Sequence, residues 1–108
     1  MHNINYFSNI LYKLVMNPFL FEFLATLIFI YVILASKGNA YACGSIFAIL
    51  IILGSRFSSS GTLLNPAVTI AMLTAGKTAA KDVAPYIGAQ IAGGLAAVEL
   101  FKRLRIGA

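Results

Sequence analysis

Three long apolar runs divide this chain, and a much shorter fourth run sits between the second and the third. Residues 19–36 contain a single charge, Glu22, and residues 83–101 contain only Glu99. Runs of this length are long enough to cross the ~30 Å hydrocarbon core of a bilayer as helices. Residues 40–55 carry no charge and are shorter, but they suffice when the flanking residues snorkel to the interface. A turn at Lys37-Gly38-Asn39 separates the first two spans, and Arg56 closes the second. Ahead of them, Ile4, Phe7, Leu11 and Leu14 recur at helical spacing with Lys13 and several asparagines between. Residues 1–17 are therefore expected to hold a short amphipathic helix lying at the membrane interface, ended by Asn17-Pro18.

The fourth run, residues 66–76, does not fit a span. As a helix it covers roughly 16 Å, half of the hydrocarbon core. Its ends are well marked. Asn65 is a good N-cap, Pro66 suits the first helical position, where its missing N–H has no partner to lose, and Gly76-Lys77 is a good stop. A polar, glycine-containing segment, residues 54–62, precedes it. The pattern predicts a re-entrant half-helix with its positive end at the membrane centre, a form of backbone tolerated there only where protein buries it or water lines it. The predicted fold is an all-α membrane protein with three transmembrane helices and one half-helix.

Composition agrees with that assignment. The chain is 60% hydrophobic and 10% charged, with a mean hydropathy of +0.90. A net charge of +5 would suit nucleic-acid binding in a soluble domain, but here the eight Lys and Arg residues flank the apolar runs and anchor to headgroups, so no nucleic-acid partner is expected. The single cysteine, Cys43, excludes an intrachain disulfide and reads as a small packing residue. The first sixteen residues show neither an early basic cluster nor a small-residue cleavage site, so no secretory signal is expected. No nucleophile–base pair, metal-ligating cluster or phosphate loop occurs, so neither catalysis nor a cofactor or metal is expected.

Small residues crowd the third span. Ala89 with Gly93, and Gly93 with Ala97, form small-xxx-small pairs, and Gly88 lies beside them. Their expected role is close helix packing. Asn65 can both cap the half-helix and donate its side-chain amide to a permeating water or hydroxyl. Glu22, an ionisable group inside a span, must face a polar partner or a cavity. The residues alone leave a proton relay open for it.

The motif 60–69, Ser-Gly-Thr-Leu-Leu-Asn-Pro-Ala-Val-Thr, resembles the first signature loop of the aquaporin and glycerol-channel family, the major intrinsic proteins. The resemblance extends to Phe21-Glu22-Phe23-Leu24-Ala25-Thr26 and to residues 85–94, Pro-Tyr-Ile-Gly-Ala-Gln-Ile-Ala-Gly-Gly. Together these motifs cover residues 18–101 in the family's order, leaving 102–108 as a basic tail. The resemblance implies a passive channel for water or small uncharged solutes. It places Asn65, Pro66, Ala67 and Val68 on the path, together with the carbonyls of Gly61, Thr62, Leu63 and Leu64. It also implies that Glu22 and Gln90 brace the re-entrant loop.

The chain departs from the family's pattern at several places. Leu63 stands where the family usually has histidine. The single Asn-Pro-Ala triplet is followed by Val68 rather than by the arginine that a second triplet supplies to the filter. The loop before Asn65 is longer than usual, and the filter aromatic of the second helix falls somewhere within residues 42–47. Only the first of the family's two inverted repeats is matched. One repeat alone would expose re-entrant backbone to lipid. Lys13, Arg56, Lys77 and Lys81 fall on one membrane face, and Lys37, Lys102, Arg103 and Arg105 on the other. With four against four, the positive-inside rule selects neither orientation. The expectation is a dual-topology protein that pairs antiparallel as a homo-oligomer in the bilayer. Two other readings are compatible with the sequence. One is a non-conducting structural membrane protein, such as a virion or host-membrane scaffold, suggested by a size similar to that of membrane proteins of large DNA viruses. The other is a proton-coupled small multidrug transporter using Glu22, against which the half-helix stands.

Overall fold

The computed structural model describes residues 2–15, 17–58 and 61–104. Ser60 of the signature loop, Arg105 and the rest of the basic tail, 105–108, lie outside the described residues. Among the described residues five helices follow one another: α1 (His2–Val15), α2 (Pro18–Ala35), α3 (Ala40–Phe57), α4 (Pro66–Thr74) and α5 (Ala80–Leu104). Three of them, α2, α3 and α5, are long and apolar enough to cross a membrane.

Local chemistry sets most of the ends. The Asn17 side chain accepts from the backbone N–H groups of Phe19 and Leu20, both at 3.0 Å, with Pro18 at the first helical position of α2. At the other end the chain reverses through Lys37 and Gly38, with φ of 57° and 74°. Gly38 N–H donates to Ile33 C=O and Lys37 N–H to Leu34 C=O, which satisfies carbonyls that the helix end leaves open. Asn39 then caps α3, accepting from Ala42 N–H.

Two helices run past the limits that the sequence suggested. The second span continues to Phe57, so Arg56 sits on its last turn and does not close it. Nothing between Ser55 and Phe57 breaks a helix, and the chain becomes extended only at Ser58. The third span covers 25 residues and takes in Lys102, Arg103 and Leu104. Those residues form the final turn of α5, where cations suit the helix dipole, and are not part of a separate tail. Pro85 lies inside this helix, where it forgoes one backbone hydrogen bond.

Helices α2 and α5 run parallel and make the main contact of the fold. Their partners advance together: Phe19 on Tyr86 at 4.9 Å between ring centroids, Glu22 on Gln90, and Tyr31 on Phe101 at 6.1 Å. Gly93 permits this approach, because a Cβ there would overlap the Phe23 carbonyl oxygen. Ala97 is fully buried one turn on, and Ala89 is half-buried. Gly88 is different. It is exposed, and a Cβ there would meet nothing within 4 Å, so it takes no part in this packing. A position one residue from Ala89 is turned about 100° around the helix from the 89/93/97 face.

Helix α3 returns antiparallel to α2, with Phe29 and Phe47 in contact at 5.5 Å. Ala25, Leu50 and Leu64 form a small core between them, backed by Phe21, Phe29 and Ile46. Elsewhere the large apolar side chains point outward, among them Ile28, Ile49, Ile52 and Leu95, as lipid-facing positions do. Helix α1 likewise exposes Ile4, Phe7, Leu11 and Leu14.

Candidate functional site

The segment from Gly61 to Asn65 enters the fold without secondary structure, and the protein satisfies its backbone piece by piece. The carboxylate of Glu22, fully buried on α2, accepts from the backbone N–H of Leu63 at 2.8 Å and of Leu64 at 2.7 Å. Gln90 on α5 donates its Nε2 to the same carboxylate at 3.2 Å and to Thr69 Oγ1 at 2.8 Å. Thr69, fully buried on α4, in turn lies 3.0 Å from the carbonyl of Asn65. One connected set of hydrogen bonds therefore ties α2, α5, the loop and the half-helix together. It is the arrangement that buried polar groups in lipid require.

The loop bends sharply to make these bonds. Gly61 has φ of 73°, at no steric cost, but Leu64 has φ of 63°, a left-handed conformation that a branched side chain rarely adopts. Two contacts hold Leu64 there: its N–H is on Glu22, and its side chain is buried in the α2–α3 core. Strain of this kind costs about 1–3 kcal/mol and persists only where surroundings over-determine it. The Thr62 hydroxyl donates to Leu50 C=O at 2.7 Å, and Thr62 packs on Gly54, where a Cβ would overlap its side chain. This side chain fastens the loop to α3.

Asn65 then starts the half-helix. Its Oδ1 accepts from Ala67 N–H at 2.7 Å, while its Nδ2 donates to no described residue. Helix α4 is two residues shorter than the sequence pattern suggested. It ends at Thr74 because Ala75 caps it and Gly76, with φ of 76°, lets Lys77 N–H reach back to Met72 C=O. At nine residues it spans about 14 Å.

The start of α4 opens on a cavity of about 450 Å³ whose wall includes Thr26, Ile30, Leu64, Asn65, Pro66 and Gln90. Thr26 lies at the middle of the eighteen-residue α2, so Asn65 and Pro66 share a cavity wall with the middle of that helix. Of the other residues expected along the path, Gly61, Thr62, Leu63, Ala67 and Val68 do not border this cavity. Leu63 is buried with its N–H on Glu22, Thr62 is turned to α3, and Ala67 and Val68 are exposed on the first turn of α4.

Sequence reading missed two residues of the site. Thr69 joins Gln90 to the half-helix, and Thr26 is a buried cavity-wall residue whose hydroxyl has no partner among the described residues. Both were signalled by spacing: each threonine follows a singled-out residue, Asn65 or Glu22, by four positions and so shares its helix face. Among the described residues no group of three His, Cys, Asp or Glu side chains converges to hold a metal.

Comparison with known proteins gives the same outline. The model of the major intrinsic protein family matches residues 11–108. Aquaporin Z of Rhodopseudomonas palustris is 45% identical over 49 residues, a stretch covering 45% of this chain and 20% of that protein. The matched stretch is thus about a fifth of the relative's length. No solved structure matches the chain. With three membrane-spanning helices, a half-helix capped by Asn65 and a family match over nearly its whole length, this multi-pass membrane protein belongs to the major intrinsic protein family.

Proposed function

We propose that the chain is a subunit of a passive channel for water or small uncharged solutes, with the pore formed between two antiparallel copies. The observation that carries this reading is the placement of Asn65. Its side-chain amide donor and the positive end of α4 face a cavity whose wall includes the middle of α2. A free donor there can hydrogen-bond a water or hydroxyl, while the half-helix dipole opposes cations. Glu22, Gln90 and Thr69 hold that geometry from behind and act as braces. Membership of a family that includes aquaporin Z supports the same substrate class.

Pairing follows from what one copy leaves open. The first turn of α4 and the cavity beside it are uncovered, and half-helix backbone needs protein or water around it inside a bilayer. A second repeat of opposite orientation covers it, as in inverted-repeat membrane proteins generally, and a second copy of this chain supplies one. A two-fold axis in the membrane plane brings the two Asn65 residues together at the midplane.

Disulfide cross-linking in native membranes tests the pairing, with Cys43→Ser as background. Ala67→Cys, exposed on the first turn of α4, is expected to form dimers on oxidation. Tyr41→Cys, highly exposed at the start of α3, is expected to form none, because antiparallel copies carry it on opposite membrane faces. Dimers through Tyr41→Cys but not Ala67→Cys would mean parallel association and would refute the antiparallel pore.

A further inference from the structure

A second cavity lies away from Asn65, between α2 and α5. It has a volume of about 300 Å³ and is walled by Leu27, Ile28, Tyr31, Val32, Leu100 and Leu104. Ile28, Leu100 and Leu104 are exposed, so the groove opens sideways to where lipid chains run. Its wall is apolar throughout: Tyr31 contributes only ring carbons, its hydroxyl being buried away from the groove.

Because α2 and α5 are parallel, this groove ends at one membrane face, where α2 stops at Ala35 and α5 at Leu104. That face carries Lys37, Lys102 and Arg103, and Lys37 and Arg103 are exposed. Glu99 is the one acidic residue of the last two turns of α5, and it pairs with Lys102 at 3.7 Å. Three cations against one anion leave the mouth of the groove positive. Arg103 stands one helical turn from Leu100, beside the groove.

The charge pattern selects the occupant. The chain has three acidic residues in all: Glu22 is buried in the hydrogen-bonded site, Glu99 is already on this face, and Asp82 is on the other. A second copy therefore brings net positive charge whichever face it presents, since Asp82 sits among Lys13, Arg56, Lys77 and Lys81. Only the bilayer supplies an apolar chain attached to a negative head. We propose that the groove is a binding site for an anionic phospholipid, with one acyl chain against Leu27, Val32 and Leu100 and the phosphate drawn to Arg103 and Lys37.

The chain contains no tryptophan, so Phe101→Trp, next to Tyr31, is a single reporter. The full chain is reconstituted in phosphatidylcholine vesicles holding a small fixed fraction of brominated phosphatidylglycerol or brominated phosphatidylcholine. Bromine on the acyl chain quenches tryptophan on contact. The glycerol lipid is expected to bind at least about fivefold more tightly, the factor that one basic residue near the surface contributes. Lys37→Gln with Arg103→Gln is expected to bring the preference close to unity, and Arg103→Lys to keep it. A control reporter at Ile52→Trp, exposed on α3 away from the groove, is expected to show no preference. Equal quenching of the Phe101→Trp reporter by both lipids would mean unselected bulk lipid and would overturn the proposal. Quenching by neither would mean that protein covers the groove, and would overturn it as well.

Discussion

Replacing Glu22 with leucine is expected to cost about 2–6 kcal/mol and to release the loop before Asn65. The figure follows from the N–H groups of Leu63 and Leu64, which lose their acceptor while staying buried, at about 1–3 kcal/mol each. Leu64 would lose one of the two contacts that hold its left-handed backbone. Since membrane-embedded backbone cannot turn to water instead, the loss is a large share of the about 5–15 kcal/mol that stabilises a typical domain. Glu22→Gln keeps one carbonyl oxygen and the shape of the side chain, but places an NH₂ group against one of the two N–H donors. An intermediate loss is expected. Denaturant unfolding in detergent, followed by circular dichroism, measures both variants. The pair also separates bracing from proton transfer. A Glu22→Gln protein that unfolds like the wild type yet fails in transport would point to a relay.

The second large effect is expected at Gly93. Alanine there drives its methyl group into the Phe23 carbonyl oxygen, and backbone cannot swing aside as a flexible side chain does. Overpacking of this kind costs about 1–3 kcal/mol. The consequence reaches the site, because Gln90 is one turn away on the same helix and must stay within 3.2 Å of Glu22. Gly93→Ala is therefore expected to lower the unfolding midpoint and to weaken solute flux together. Gly94→Ala is the internal control. A Cβ there meets only Ile30 Cγ1 at 3.9 Å, an ordinary contact, and alanine has the better helix propensity. It is expected to be neutral or slightly stabilising. If the two substitutions behaved alike, Gly93 would not be the residue that lets α2 and α5 approach.

Much of this arrangement was legible in the residues because its causes are local. Asparagine before proline starts both α2 and α4, and uninterrupted apolar length marks the spans. The ends of α3 and α5 are less legible, because a charge resembles a boundary, whereas Arg56, Lys102 and Arg103 lie on the last turns of helices that nothing breaks. The site was harder to read. Glu22 and Gln90 are 68 positions apart, and what Glu22 grips is backbone, which has no letter in a sequence. Resemblance, not periodicity, placed Glu22 and Gln90 beside the loop. It did not reveal that a leucine takes a left-handed turn, because that conformation is imposed by contacts on α2 and α3. Gly88 and Gly93 look alike in sequence, and only the face that α5 turns to α2 tells them apart.

The central claim is that this chain builds a conducting path at Asn65. Stopped-flow light scattering on proteoliposomes of the purified chain tests it, with Asn65→Asp alongside. Aspartate still offers an oxygen to cap Ala67 N–H, so the half-helix keeps its start, but the amide donor is gone and a negative charge faces the cavity. The account predicts osmotic shrinkage well above that of protein-free vesicles, with a low activation energy, and clearly slower shrinkage for Asn65→Asp. Shrinkage no faster than that of empty vesicles, from protein shown to be folded, would contradict the channel and favour a structural role in the membrane.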